Sequence, residues 1–267
     1  MAQPTALATD LAMGLDPARL MTACGLPPDP WQAAVLRSQA PRQLMVCCRQ
    51  SGKSSTCACL ALHTALYQPG ALVLLLSPSL RQSQELFKKV QDAYRVRGNP
   101  APLQAESALR YELTNGSRII ALPGTEPTIR GYSGVDLLVI DEAARVLDEL
   151  YLAARPMLAT SQGRLVALST PFGKRGWFYE AWRGEADWER VQVTAQQCPR
   201  ISPAFLEEER QTMPVPWFAS EYGCEFTDTV YSVFSDDAID RMFQADIDPW
   251  YPQGAFYADP SERSRWS

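Results

Sequence analysis

Apolar runs of five or six residues alternate with helix-period segments along most of this chain. Residues 43–48 (QLMVCC), 71–78 (ALVLLLSP), 136–140 (DLLVI) and 164–169 (RLVALS) are short and almost wholly apolar, the pattern of strands buried on both faces. Residues 54–67, 80–96 and 147–159 read as helices between them, and Leu86, Val90 and Tyr94 fall on one helical face. The segment ALRYELTNGSRIIALPG, residues 108–124, reads as strand, Asn-Gly turn, strand, hence a hairpin. A helix over 177–182 and a strand over 188–194 close the alternation. Upstream, 16–24 and 31–38 are expected to be helical; downstream, 203–213 and 217–225 form a pair of helices. The pattern predicts an α/β fold with a mostly parallel sheet, helices on both faces and a small C-terminal helical lid. Four segments follow: an Ala/Pro-rich tether over 1–28, a core over 29–195, a lid and linker over 196–230, and a tail over 231–267. No internal repeat is present.

Composition narrows the class. A chain of 267 residues, 46% hydrophobic and 21% charged, can bury a full core without disulfides. Its longest apolar run, 71–76, is too short to cross a bilayer, and the first twenty residues lack the basic and apolar parts of a secretory leader. A soluble protein of the cytoplasm with no membrane partner is therefore expected. The seven cysteines are odd in number and irregularly spaced, so they are expected as free thiols. Cys57 and Cys59 lack a second ligand pair, and the only histidine, His63, lies within the same helix, so small buried side chains are expected rather than a metal site. A net charge of −5 argues against coating nucleic acid with the whole surface, and leaves room for local basic loops.

Two short segments carry chemistry. In CCRQSGKS, residues 47–54, a strand runs through a loop into a helix, the arrangement that presents backbone N–H groups to phosphates. Lys53 is placed to reach the β- and γ-phosphates of a nucleotide and Ser54 to bind Mg²⁺, although Cys47 stands where the usual first glycine would be. In DLLVIDE, Asp141 and Glu142 end a buried strand, where open α/β sheets bind ligands. Asp141 suits the metal and Glu142 suits activation of the attacking water. Two acids after a strand also cap helices, but the upstream loop favours catalysis. Together the segments predict a P-loop NTPase. The base directly after the aspartate points to the ASCE, RecA-like branch, whose extra strand between the two motifs is expected from residues 71–77.

The ordered set DPWQAAVL, CRQSGKS, a basic residue before LLVIDEA, ALSTPFGKRGWFYEAW and FLEEERQTMPVPWFASEYGCEF resembles the ATPase domain of the large terminase subunit of tailed phages, over roughly residues 29–235. The resemblance implies an ATP-hydrolysing, Mg²⁺-dependent motor that moves double-stranded DNA into a procapsid. It implies ATP contacts from Gln32 (adenine), Arg49, Gln50, Ser51, Gly52, Lys53, Ser54 and Ser55, with Mg²⁺ on Ser54 and Asp141. It also implies a coupling motif at Ser169 and Thr170 and catalysis by Glu142 with Arg130 and Arg49. Arg130 is expected as a finger reaching a neighbouring subunit's site, and Arg49 as a γ-phosphate sensor within its own. Implied partners are a portal protein, a small terminase subunit and further copies in a ring, the isolated chain being monomeric. Lys174 and Arg175 could touch DNA phosphate, yet a solvent turn beside core aromatics fits them slightly better.

Large terminases continue into a nuclease domain. Here residues 231–267 read as the start of one or as an acidic tail, and nuclease activity is expected to be absent. A helicase-like DNA-dependent ATPase and a non-catalytic prophage remnant that binds nucleotide are the alternatives. The first is disfavoured by the lack of room for a second motor domain, the second by intact Lys53, Asp141 and Glu142.

Overall fold

A computed structural model describes residues 5–124, 129 and 131–227, all within one compact unit, Met1–Thr229. The described residues build one sheet from β1 (Arg42–Cys47), β2 (Leu72–Ser77), β3 (Leu103–Ser107), β4 (Arg110–Leu113), β5 (Arg118–Pro123), β6 (Leu137–Asp141), β7 (Arg164–Ser169) and β8 (Glu189–Val193). Its order is β3-β4-β5-β2-β6-β7-β1-β8. From β5 to β8 every pairing is parallel, and only the β3-β4-β5 edge is antiparallel. Every residue of β2 and β6 is buried. Because neighbouring side chains in a strand point to opposite faces, both faces of the sheet centre are covered.

Among the described residues the helices are α1 (Ala6–Leu15), α2 (Pro17–Ala23), α3 (Pro30–Arg37), α4 (Lys53–Tyr67), α5 (Leu80–Val96), α6 (Asp148–Ala154), α7 (Gly176–Arg183), α8 (Pro203–Thr212) and α9 (Val215–Glu221). The expected apolar face of α5 is real: Leu86, Val90 and Tyr94 are buried. The helix expected over 147–159 is shorter, ending as α6 at Ala154 and continuing as a 3₁₀ turn, Arg155–Leu158. Pro156 explains the change, since it has no N–H to continue an α-helical ladder.

Three expectations need correction. Residues 6–23 are no tether: α1 and α2 pack onto the core through Met13, Leu20 and Met21, all buried. Asp16 caps α2 by accepting from Ala18 N–H at 3.0 Å, and Arg37 of α3 grips the same carboxylate at 2.8 and 3.0 Å. His63 belongs to this packing, with Nε2 at 3.1 Å from both the Met13 and Gly14 carbonyls. Second, the strand lying between the phosphate-loop strand β1 and the acidic strand β6 is β7, and residues 72–77 lie on the far side of β6. Hydrophobic runs reveal strands but carry no record of their lateral order. Third, β3 was not expected at all; four of its five residues are exposed, so it lacks the apolar alternation that marks a strand. The seven cysteines are buried free thiols.

Candidate active site

The parallel strands finish along one edge of the sheet, and register fixes what meets there. Val46 lies level with Ser169, and Leu168 with Asp141, so the ends of β1, β7 and β6 stand side by side. The chain leaves β1 at Cys47, and Cys48 N–H donates to Val193 O at 2.9 Å, which ties the exit to β8. Gln50 (φ 60°) and Gly52 (φ 90°) then take left-handed conformations, and α4 starts at Lys53. Gly52 is the N-cap and has no side chain to satisfy the first-turn N–H groups, which suits a bound anion.

A cavity of about 400 Å³ opens above this edge. Arg49, Gln50, Gly52, Lys53, Ser54 and Ser55 form one wall, and Glu142 and Thr170 face them. Lys53 is buried, with Nζ at 3.8 Å from Glu142 Oε1. Ser54 Oγ donates to Asp141 Oδ2 at 3.0 Å, and the Glu142 N–H donates to Asp141 Oδ1 at 2.9 Å. Burial, and then the neighbouring Glu142, push the Asp141 carboxyl above its ordinary range, while Lys53 and the two hydrogen bonds oppose them. Glu142 itself is left-handed (φ 50°, ψ 42°), an unusual state for a glutamate that directs the chain into the turn Ala143–Arg145.

The remaining expected residues divide. Ser51, within the loop, is buried, and its Oγ has no hydrogen-bond partner among the described residues. Ser169 Oγ is buried in the same condition at the end of β7, directly before the cavity-lining Thr170. Gln32 is 1% exposed and lies behind Gly52 of the cavity wall. Its Oε1 accepts from Asp29 N–H at 2.8 Å and its Nε2 donates to Thr56 Oγ1 at 2.9 Å. These two bonds hold the start of α3 to Thr56 of α4, beside Gly52 of the loop. Arg49 is 65% exposed, with Nε 3.7 Å from Glu221 Oε2 of α9 and its N–H bonded to Glu221 O at 3.0 Å. Arg130 lies outside the described residues, as does the tail over 231–267. Trp177 and Phe178 are core, Trp177 stacking on Tyr151 at 3.9 Å. Arg175 lies over the Phe172 ring at 5.3 Å.

Sequence reasoning missed four cavity residues: Gln82, Lys89, Arg145 and Glu221. Gln82 and Lys89 are seven apart on α5, so they share a face, and Arg145 follows Glu142 by three. That spacing was the available signal.

The family model for the terminase large subunit, T4likevirus-type, N-terminal, matches residues 44–241. The terminase large subunit of Thermus phage G20c is 26% identical over 248 residues, covering 79% of this chain and 51% of that protein. That of Escherichia phage T5 is 24% identical over 231 residues, 82% of this chain and 52% of the relative. The chain thus spans about half the length of these relatives. Among solved structures, the ATPase domain of the Thermus phage P74-26 large terminase superposes with a TM-score of 0.70 at 24% identity, covering 80% of this chain and all of that domain. The HK97 large terminase gives 0.60 at 14% identity, covering 74% and 50%.

Proposed function

Because the chain belongs to the terminase large-subunit family, through the family's N-terminal domain, we propose that it is the ATP-hydrolysing motor domain of a phage DNA-packaging machine. The observation that carries this reading is the convergence of Lys53, Ser54 and Glu142 on one cavity at the ends of β1 and β6, with Asp141 bonded to Ser54. The N–H groups at the start of α4 bind the polyphosphate and Lys53 neutralises it. Ser54 and Asp141 offer adjacent hard oxygen donors, the chemistry Mg²⁺ requires, so these two residues would hold it. When bound, that ion would supply positive charge against the negative charge developing on the leaving group.

Glu142 orients the attacking water and accepts its proton, and its Oε1 lies 3.8 Å from Lys53 Nζ, the charge that also meets the polyphosphate. Arg49 senses the γ-phosphate, and Arg130 of a neighbouring copy completes the site in a ring. Ser169 and Thr170, at the end of the strand between the two motifs, carry the loss of phosphate to the DNA-gripping parts. Residues 29–195 supply this core and 196–230 the lid. Double-stranded DNA, a portal protein and a small terminase subunit are the proposed partners, on the strength of family membership. Nuclease activity is not part of the reading.

The test is Mg-ATP turnover of the wild type against Glu142→Gln, with and without double-stranded DNA and portal. Glu142→Gln should lose about 10²–10⁴ in turnover while still binding ATP. Wild-type turnover by that variant would remove Glu142 from the mechanism, and no Mg-dependent hydrolysis by the wild type under any condition would remove the motor.

A further inference from the structure

The phosphate loop is held from outside the cavity by a residue far along the chain. Arg200, beyond β8, donates from Nη1 and Nη2 to the two carboxylate oxygens of Asp29 at 3.0 and 2.7 Å. Nη2 also donates to Ser51 O at 2.7 Å. Asp29 is well covered, its side chain 12% exposed, and it is the N-cap of α3. One planar guanidinium therefore joins the start of α3 to the middle of the phosphate loop. A lysine, with a single ammonium, could not match this fork.

The bond to Ser51 O has a consequence set by covalent geometry. Among the described residues no peptide bond is cis, and in a trans peptide the C=O and the following N–H point in opposite directions. Arg200 lies outside the cavity wall that Gly52 helps to form. With the Ser51 carbonyl fastened to Arg200, the Gly52 N–H is aimed away from it. Without the fastening, that peptide can rotate and present a carbonyl, which repels phosphate. The fit is close: a Cβ on Gly52 would lie 3.2 Å from Arg200 Nη2 and 2.8 Å from Gln32 Nε2.

We infer that Arg200, anchored by Asp29, is a positioning residue that aims the Ser51–Gly52 peptide so that its N–H faces bound polyphosphate. This rests on the proposed reading of the loop as a phosphate site. It acts on phosphate alone and not on the base.

The experiment measures binding of ADP and of inorganic tripolyphosphate by calorimetry, alongside thermal unfolding, for wild type, Arg200→Ala, Arg200→Lys, Asp29→Asn and the double variant Asp29→Asn/Arg200→Ala. Arg200→Ala should weaken both ligands about 10-fold, the loss of one well-aimed hydrogen bond to a charged group. Arg200→Lys should recover part of that loss. The double variant should be no weaker than Arg200→Ala, because Asp29 acts through Arg200. A purely structural role would lower the melting temperature and leave the affinity of the folded protein for tripolyphosphate unchanged; that result overturns the inference. Additive losses in the double variant overturn it as well. If Arg200→Ala does not fold, Arg200→Lys and Asp29→Asn carry the same test, each expected to weaken tripolyphosphate. Wild-type protein that binds neither ligand removes the phosphate-site reading itself, and this inference with it.

Discussion

Replacing Gly52 by alanine should cost more than its backbone conformation alone explains. At φ 90° an alanine is strained, by about 1–2 kcal/mol for a left-handed L-residue. The added methyl would also sit 2.8 Å from Gln32 Nε2, closer than real Cβ contacts come. Gln32 cannot retreat freely, because it is 1% exposed and held at both ends of its amide by Asp29 and Thr56. Moving it sacrifices at least one of those bonds in a buried place, a further ~1–3 kcal/mol. Gly70 supplies the control: its φ is +76°, yet nothing lies within 4 Å of its would-be Cβ. Gly70→Ala therefore carries the backbone cost only. For a domain of this size each kcal/mol moves the melting temperature by about 2–4 °C, so Gly52→Ala should melt roughly 2–12 °C below Gly70→Ala. Adding Gln32→Ala to Gly52→Ala should recover part of the gap, since the obstructing amide is gone. Calorimetric melting of the purified variants at neutral pH reads this directly. Equal melting temperatures for Gly52→Ala and Gly70→Ala would refute the crowding argument and leave only a requirement for positive φ.

Two further outcomes follow from the same geometry and from the family. Arg130→Ala should lower ATP turnover of the assembled ring by about 10³ or more while sparing ATP binding, and normal turnover in the ring would refute the finger assignment. Asp16→Ala should destabilise by about 1 kcal/mol at pH 7 through the lost cap of α2. The hydrogen bonds from Arg37, ahead of that from Ala18 N–H, hold the Asp16 carboxyl below its ordinary 3.8. A lowered folded-state value means that the carboxylate's contribution is complete above about 3.8 and disappears as pH falls through the lower value. The gap between wild type and Asp16→Ala should therefore narrow below pH 3.8, and a gap that widens there contradicts the assignment.

What could be read along the chain was what local pattern controls. Strands β1, β2, β6 and β7 are apolar runs because both faces of the sheet centre are covered, and their bounds were legible to within a residue or two. The hairpin β4-β5 announced itself through Asn115-Gly116. Strand β3 did not, because an exposed edge strand is held by backbone pairing with β4, which any sequence can provide. The packing of α1 and α2 was masked by their Ala/Pro-rich composition. Met13, Ala18, Leu20, Met21 and Cys24 seat them, divided between two short helices and the residue that follows. The lateral order of the strands was beyond local pattern altogether, and with it the place of Ser169-Thr170 between the two motifs.

The site shows the same division, and Gln32 shows where it falls. Asp29-Pro30-Trp31-Gln32 can be read as a helix start: an acidic N-cap, proline at the first helical position, and glutamine three residues on to return to the cap's N–H. That spacing is local, and the Gln32 Oε1 bond to Asp29 N–H realises it. The family resemblance implies a contact with adenine for the same amide. What no spacing could disclose is the other half of the arrangement, Thr56 receiving Nε2 from 24 residues away and Arg200 reaching back 171 residues to Asp29. These long-range bonds converge on Gly52, the one position in the loop where two supporting side chains leave no room for a methyl group. The missing first glycine, with Cys47 in its place, is then understandable. Cys47 is still a buried strand residue, whereas Gly52 is where the chain must turn left-handed between Gln32 and Arg200. The glycine that this loop retains is the one that its braces require.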